Sequence, residues 1–168
     1  DIMIESHNYI SKKISGTKIL DKYELKKNSF YLLTIHRPYN VDNPLVLSNI
    51  IKEVGKISKT VIFPIHPRTR NIININNIEL PKNIRLINPL GYLDFVQLQL
   101  GSIKIITDSG GIQKEAYIIK KPCITLRSET EWVETIDSGW NILFNPSKQN
   151  GLAQLVESFE PKNKYREL

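Results

Sequence analysis

Short apolar, β-branched runs alternate with amphipathic segments from residue 29 to the end of the chain. Apolar runs bounded by polar residues predict buried strands, and apolar residues spaced by three and four predict helices. The pattern predicts strands over residues 30–35, 60–65, 84–87, 103–107, 123–126 and 140–143. It predicts helices after Pro44 and over residues 67–75, 93–100, 112–119, 131–136 and 148–158.

This alternation of strands and helices predicts an α/β fold, a Rossmann-like doubly wound parallel sheet. In such a sheet, ligands bind at the carboxyl ends of the strands. Polar residues follow four of the predicted strands at that end, namely His36 and Arg37, His66 and Arg68, Ser109, and the segment 129–132. Because parallel strands end at a common edge, we expect these residues to form one rim and the rim to be a site.

Residues 107–115 read Thr-Asp-Ser-Gly-Gly-Ile-Gln-Lys-Glu and are the most informative segment. A strand that ends in a Ser-Gly-Gly turn and opens a helix leaves N–H groups unpaired at the positive end of the helix dipole, where a phosphate or diphosphate is stabilised. Gly110 and Gly111 lack the Cβ atoms that would keep an anion from the backbone. Glu115 would accept hydrogen bonds from a ribose diol. The alternative is that Asp108 or Ser109 simply caps the helix.

The composition of the chain limits the classes of partner that it is expected to bind. Its 168 residues are one domain's worth of sequence, and the net charge of +6 with a pI near 9.3 indicates an anionic partner. The lysines are dispersed and no base-reading motif is present, so nucleic acid is not the expected partner, although a basic nucleic-acid-binding domain is the alternative from another class. No run approaches the roughly 20 apolar residues of a membrane span, and no signal peptide is visible, so we expect a cytoplasmic protein and no membrane partner.

Two histidines, His36 and His66, follow equivalent strands, and histidine is a residue type that often transfers protons in enzymes. Each is a candidate for chemistry, with a hydrogen-bonded structural histidine as the alternative. Four arginines are candidates for contacts to diphosphate oxygens, which a guanidinium matches bidentately, and they are Arg37, Arg68, Arg70 and Arg127. A surface ion pair is the alternative for each and the preferred interpretation for Arg70.

Phe95 and Trp132 are the aromatic candidates for stacking on a base, and Phe95 is equally suited to the core. No cysteine cluster or close histidine pair predicts a metal site. The single cysteine, Cys123, lies in an apolar run and is expected to be a buried thiol. No P-loop and no nicotinamide-binding motif is present, so the sequence supports neither an NTPase nor a nicotinamide-dependent enzyme.

Together these motifs resemble the C-terminal half of the non-hydrolysing UDP-N-acetylglucosamine 2-epimerase family. The matching segments run in order along nearly the whole chain, at residues 34–42, 64–69, 91–95, 107–115 and 126–134. The resemblance implies one half of a GT-B fold, in which two Rossmann-like domains enclose the active site. It implies epimerisation at C2 by elimination and re-addition of UDP, without metal or cofactor, in a setting of polysaccharide precursor synthesis. A GT-B glycosyltransferase domain that binds a nucleotide sugar is the alternative.

The resemblance also implies residue roles and domain limits. His36 matches the catalytic histidine. The expected substrate-binding residues include the diphosphate turn, the ribose carboxylate and an aromatic of the uracil pocket, and they are Arg37, His66, Phe95, Ser109, Gly110, Gly111, Glu115, Arg127 and Trp132. Residues 1–28 would be the connector from a missing N-terminal domain and residues 29–168 the C-terminal nucleotide-binding domain. The full-length enzyme is expected to be a homodimer.

The chain departs from the family pattern in three places. Tyr39 stands where the family has a glutamate of its allosteric nucleotide site. Trp132 stands where the family has a substrate-contacting arginine, which points to a different UDP-sugar such as a diacetamido uronic acid or an N-acetylfucosamine derivative. The first domain, with the carboxylates that move the proton at C2, is absent. We therefore expect the chain alone to bind UDP weakly and to be inactive.

Overall fold

The computed structural model describes residues 18–166, and these contain a six-stranded sheet. Its strands are β1 (Phe30–Thr34), β2 (Thr60–Pro64), β3 (Ile84–Ile87), β4 (Ile105–Thr107), β5 (Cys123–Thr125) and β6 (Asn141–Leu143). The strand order is β3-β2-β1-β4-β5-β6, and every neighbouring pair is parallel. This is the doubly wound order of a Rossmann-like fold, which confirms the predicted fold class.

Helices connect the strands. They are α1 (Ile19–Lys22), α2 (Pro38–Val41), α3 (Pro44–Val54), α4 (Pro67–Ile75), α5 (Tyr92–Gly101), α6 (Gly110–Ile118), α7 (Val133–Asp137) and α8 (Leu152–Ser158). Local signals explain several of their starts. The Asn43 side chain accepts a hydrogen bond from the Leu45 N–H and Pro44 is the first residue of α3, so a cap and a proline together begin that helix. None of the described helices is long and apolar enough to cross a membrane.

The sheet is covered on both faces, and its strands are therefore apolar at consecutive positions. In β1, Tyr31 and Leu33 belong to one core cluster with residues of α3, α4 and α8, whereas Phe30 and Leu32 belong to a second cluster with residues of α5 and α6. Cys123 lies in the second cluster as a buried thiol, as expected, and burial raises its pKa to about 12.

Most predicted elements are present, and the differences lie at their ends. The helix predicted over residues 148–158 begins only at Leu152, because residues 145–149 form a polar turn and Gly151 has a φ of 83° that a regular helix excludes. Helix α2 was not predicted, since it is a four-residue turn with little apolar periodicity.

The expected connector, residues 1–28, is described only from residue 18 onward. Ile19 of α1 is buried, and Leu20 and Leu25 pack against the second core cluster. A Cβ added to Gly101 would lie 3.0 Å from a Leu20 methyl, so α1 rests closely on the end of α5. The boundary at residue 28 stays a prediction, and residues 1–17 lie outside the described part of the chain.

The strand order places the expected site. β1 and β4 are neighbours, and the chain leaves β1 toward β2 on one side and leaves β4 toward β5 on the other. At such a switch point the two outgoing loops diverge and leave a crevice at the carboxyl edge of the sheet. The loop after β1 begins with Ile35 and His36, and the loop after β4 with Asp108 and Ser109.

A buried cation ties the last helix to the sheet. Lys104, which is 2% exposed, donates from Nζ to the Val156 carbonyl at 2.8 Å and lies 3.2 Å from a carboxylate oxygen of Glu160. Carbonyls of a last helical turn have no partner within the helix and carry the negative end of its dipole. Lys104 therefore supplies a buried hydrogen-bond donor to a carbonyl in the last turn of α8.

We expect Lys104→Met to lower the free energy of unfolding by about 1–3 kcal/mol, because it leaves the buried carbonyls of α8 without their donor. Urea denaturation followed by circular dichroism measures the effect. Lys59→Met, at an exposed position before β2, is the matched control and should change stability by less than about 0.5 kcal/mol. Equal effects of the two substitutions would contradict the role given to Lys104.

Candidate functional site

Asp108 joins the loops that follow β1 and β4. Its carboxylate is fully buried and accepts hydrogen bonds from the His36 N–H at 3.1 Å, the Arg37 N–H at 3.0 Å and the Asn40 side-chain amide at 3.0 Å. Asn40 also donates to the Leu126 carbonyl at 3.1 Å, which brings the loop after β5 to the same place. A buried carboxylate requires such donors, so these bonds hold three loops at fixed distances from one another.

The same carboxylate orients the His36 ring. Nδ1 of His36 lies 3.1 Å from Oδ1 of Asp108, and the ring is 57% exposed. A neutral imidazole that donates from Nδ1 to a carboxylate carries its lone pair on Nε2. His36 is thus a fixed ring with one nitrogen engaged and the other suited to accept or deliver a proton.

The Ser-Gly-Gly turn forms the start of α6, as predicted. Ser109 is the N-cap residue, and its hydroxyl accepts from the Ile112 N–H at 3.4 Å. The capping alternative and the anion-binding hypothesis are therefore compatible, because one cap leaves other first-turn N–H groups without intrahelical partners. The turn lies beside His36 through their shared neighbour Asp108.

The two glycines of the turn have different surroundings. A Cβ at Gly110 would overlap a carboxylate oxygen of Glu131 and come within 3.7 Å of Nε1 of Trp132. Among the described residues, a Cβ at Gly111 would meet only the Ser109 hydroxyl, at 4.0 Å, so this part of the protein leaves open space there. The glycine at position 110 is explained by neighbouring side chains, whereas the one at 111 is not.

Glu115 lies one turn further along α6 and is held by residues of α5. Its two carboxylate oxygens accept from the Tyr92 hydroxyl at 2.7 Å and from the Gln99 side-chain amide at 2.9 Å. Burial, together with the hydrogen bond to Glu115, raises the pKa of Tyr92 to about 12, so this hydroxyl stays a donor throughout the physiological range. The carboxylate is fixed in place and retains lone pairs for further donors.

Arg127 connects the loop after β5 to the loop after β1. Its guanidinium donates to Glu131 at 2.8 Å. Burial raises the pKa of Tyr39, and the nearby positive charge of Arg127 partly offsets that rise. A hydrogen bond from its own backbone N–H, and then Arg127, lower the pKa of Glu131. Arg37 reaches the same region, and its Nε is buried without a hydrogen-bond partner among residues 18–166.

Two expected site residues have visible structural roles. His66 is the N-cap of α4 and accepts from the Arg68 N–H at 3.2 Å, and Arg68 pairs with Asp42 rather than standing free for an anion. Phe95, on α5, is partly buried against the second core cluster. Within residues 18–166, no direct hydrogen bond joins His66 to the Asp108 network. Both His66 and Phe95 nevertheless lie in segments that follow carboxyl ends of strands.

Sequence reasoning missed several members of the site. Asp108 was considered only as a helix cap, and Tyr92, Gln99, Asn40 and Gln113 were not considered as site residues. The sequence around Asp108 offered one usable signal, because an acidic residue directly after a largely apolar strand must be paired when it is buried. Within residues 18–166, no group of three or more histidine, cysteine, aspartate or glutamate side chains is arranged to hold a metal ion.

Comparison with known proteins identifies the relatives of the chain. The family model of UDP-N-acetylglucosamine 2-epimerase matches residues 1–168. A UDP-N-acetylglucosamine 2-epimerase homolog of Methanococcus maripaludis is 41% identical over 165 residues, which cover 96% of this chain and 45% of the relative. A UDP-2,3-diacetamido-2,3-dideoxy-D-glucuronate 2-epimerase of Pseudomonas aeruginosa is 39% identical over 135 residues, covering 79% of this chain and 36% of the relative.

Solved structures agree with these matches. The UDP-GlcNAc 2-epimerase of Methanocaldococcus jannaschii, in complex with UDP-GlcNAc and UDP, aligns with a TM-score of 0.81 at 35% identity, over 98% of this chain and 49% of that one. An Escherichia coli heptosyltransferase aligns with a TM-score of 0.57 at 9% identity, over 78% of this chain and 43% of that one, which is a likeness of GT-B fold alone. The chain spans about half the length of the relatives it matches.

We expect Asp108→Asn to lower the free energy of unfolding by about 1–3 kcal/mol. An amide has one acceptor oxygen where the carboxylate offers two to the backbone N–H groups of His36 and Arg37, the Asn40 amide and Nδ1 of His36. Thermal unfolding measures the loss, and NMR should show the His36 and Arg37 amide signals among those that shift most. Asp137→Asn, at an exposed carboxylate, is the control and should leave both unchanged. Unchanged stability in Asp108→Asn would contradict the central role of this carboxylate.

Proposed function

The chain belongs to the UDP-N-acetylglucosamine 2-epimerase family, and on that basis we propose that it is the UDP-binding half of an enzyme that inverts C2 of a UDP-2-acetamido sugar. The substrate is UDP-N-acetylglucosamine or a related UDP-sugar. The observation that carries the proposal is the junction at Asp108, where an oriented histidine and a Ser-Gly-Gly helix start share one buried carboxylate.

The turn is suited to the diphosphate. First-turn N–H groups of α6 and the dipole of that helix stabilise an anion, and Gly111 leaves room for one against the backbone. The unpartnered Nε of Arg37, at the same crevice, adds a cationic donor that matches phosphate oxygens. A buried guanidinium N–H without a partner is costly, so a bound anion would relieve that cost.

The remaining contacts give the ligand a direction. With the diphosphate on the turn, the ribose hydroxyls donate to Glu115, which Tyr92 and Gln99 hold from α5. The uracil then lies toward Phe95, on the same helix as Tyr92. The sugar extends the other way, toward His36, Arg127 and Trp132. His66 contacts the UDP-sugar at the outer end of this rim.

The reaction we propose proceeds by elimination and re-addition. Removal of the C2 proton forms a C1–C2 double bond as the bond between C1 and the diphosphate oxygen breaks, and UDP leaves. UDP then adds again at C1 while a proton is delivered to the opposite face of C2. His36 is the catalytic group of this half, and the turn stabilises the charge that develops on the departing diphosphate. The atoms balance without an oxidant, so the step requires no external redox cofactor.

The proposal includes a second domain, which contributes the remaining catalytic groups. Residues 1–28 are the connector and residues 29–168 the C-terminal domain of a two-domain protein, in which a further domain contributes the carboxylates that move the C2 proton. The whole enzyme is a cytoplasmic homodimer. The relatives, which are about twice as long as this chain, support a second domain. The heptosyltransferase shares the fold alone, so no observation favours the glycosyltransferase alternative.

Glu115→Ala should weaken UDP binding by about tenfold or more, because it removes a charged acceptor of the ribose hydroxyls. Isothermal titration calorimetry with UDP measures the change. Glu79→Ala removes an exposed carboxylate before β3, at the amino edge of the sheet, and should leave the affinity unchanged. If Glu115→Ala and the unsubstituted chain bind UDP equally well, the ribose role is wrong.

Gly111→Ala should change the affinity for UDP without lowering the stability of the fold. Alanine favours a helical first turn and meets no close protein atom here, so the free energy of unfolding should stay the same or rise slightly. The added methyl group lies where the diphosphate approaches the backbone, so UDP affinity should fall by about tenfold or more. A variant with normal stability and normal UDP affinity would show that the diphosphate binds elsewhere.

A further inference from the structure

Lys114 is a buried cation that the proposed function does not use. It is the fifth residue of α6, it is 9% exposed, and its Nζ lies 4.6 Å from the ring centroid of Trp132. Lysine is rarely buried to this degree unless its charge is compensated. An ammonium group over the face of an indole is attracted by the ring quadrupole, most strongly where both are shielded from water.

The same helix also holds the backbone beside this ring. The fully buried Gln113 accepts from the Thr130 hydroxyl at 2.6 Å and from the Asn141 side-chain amide at 3.2 Å. The Thr130 hydroxyl in turn accepts from the Trp132 N–H at 3.0 Å. The Trp132 carbonyl accepts from the Thr135 hydroxyl at 2.6 Å. The backbone of Trp132 is thereby fixed to α6, and Lys114 is the contact that fixes its ring.

The ring lies at the edge of the turn. Nε1 of Trp132 is 3.7 Å from the point that a Cβ of Gly110 would occupy, at the first residue of α6. Glu115 is turned toward α5, whereas Gln113 and Lys114 are turned toward the loop after β5. Successive helical residues differ by about 100° in direction, so these contacts lie on different sides of the helix. A ligand with its ribose at Glu115 and its diphosphate on the turn therefore extends past the indole.

We propose that Lys114 is a positioning residue that holds the Trp132 indole beside the Ser-Gly-Gly turn, where the ring and its N–H contact the sugar of a bound UDP-sugar. The inference rests on the proposed function and adds a determinant of sugar binding to it. An aromatic face packs on the C–H face of a neutral pyranose, and the indole N–H donates to an acetamido carbonyl. Lys114 acts through the ring, because its Nζ lies over the indole at 4.6 Å from the centroid.

The test measures the affinity for UDP and for UDP-N-acetylglucosamine separately, by calorimetry on the full chain. Lys114→Met keeps the length of the side chain and removes its charge. It should lower the affinity for UDP-N-acetylglucosamine by about threefold to tenfold and that for UDP by less than twofold. Lys114→Arg should keep the affinity for UDP-N-acetylglucosamine close to that of the unsubstituted chain, because a guanidinium group also stacks on indole. Lys120→Met is the matched control, because it removes a second cation–π contact, with Tyr165, at the far end of α6.

Fluorescence supplies a readout that a purely structural lysine would not affect. The chain has two tryptophans, so a Trp140→Phe background leaves Trp132 as the single reporter. UDP-N-acetylglucosamine should shift its emission more than UDP does, and Lys114→Met should abolish that difference. If Lys114→Met fails to fold, Trp132→Phe replaces it as the test, because phenylalanine keeps a ring for Lys114. This variant should lower the affinity for UDP-N-acetylglucosamine by about threefold to tenfold and leave the affinity for UDP unchanged.

Two results would overturn the inference. One is an equal loss of affinity for UDP and for UDP-N-acetylglucosamine in Lys114→Met, and the other is an identical emission change with both ligands. Either result leaves the proposed function intact, because UDP binding and its dependence on Glu115 test that function separately. A chain that binds no UDP at all contradicts the proposed function, and this inference with it.

Discussion

The buried carboxylate of Asp108 is the constraint on which the site depends. A fully buried carboxylate without donors would be strongly destabilising, so the backbone after β1 must approach it with the N–H groups of His36 and Arg37. Asn40 extends the same bonding to the loop after β5. One side chain thus sets the distance between the histidine ring and the helix start.

That constraint operates only because of the strand order. β1 and β4 are neighbours although two strands and four helices lie between them in the sequence. Their facing threonines, Thr34 and Thr107, hydrogen-bond at 2.8 Å directly below the site. The two core clusters cover both faces of the sheet and leave its carboxyl edge for polar residues. The apolar positions therefore decide where chemistry is located, even though none of them takes part in it.

Helix α6 is where the proposed ligand contacts converge. Ser109 caps it, and consecutive residues on it reach different neighbours, with Gln113 and Lys114 turned to the loop after β5 and Glu115 to α5. A rigid element that carries anion-binding N–H groups and also fixes the side chains around them is preorganised for its ligand. These features of α6 suit it to hold the nucleotide that we propose as its ligand.

The sequence by itself determined the elements, the fold class and the turn, because their signals are local. Apolar runs, the Asn43-Pro44 start of α3 and the Ser-Gly-Gly start of α6 are legible from adjacent residues. Only the tertiary structure decided which side chains meet there. His36 and Asp108 are 72 positions apart, and Tyr92 lies 23 positions from Glu115, so no local pattern encodes either contact. Such pairs form when the sheet order and the burial of charge leave each polar group a single set of partners.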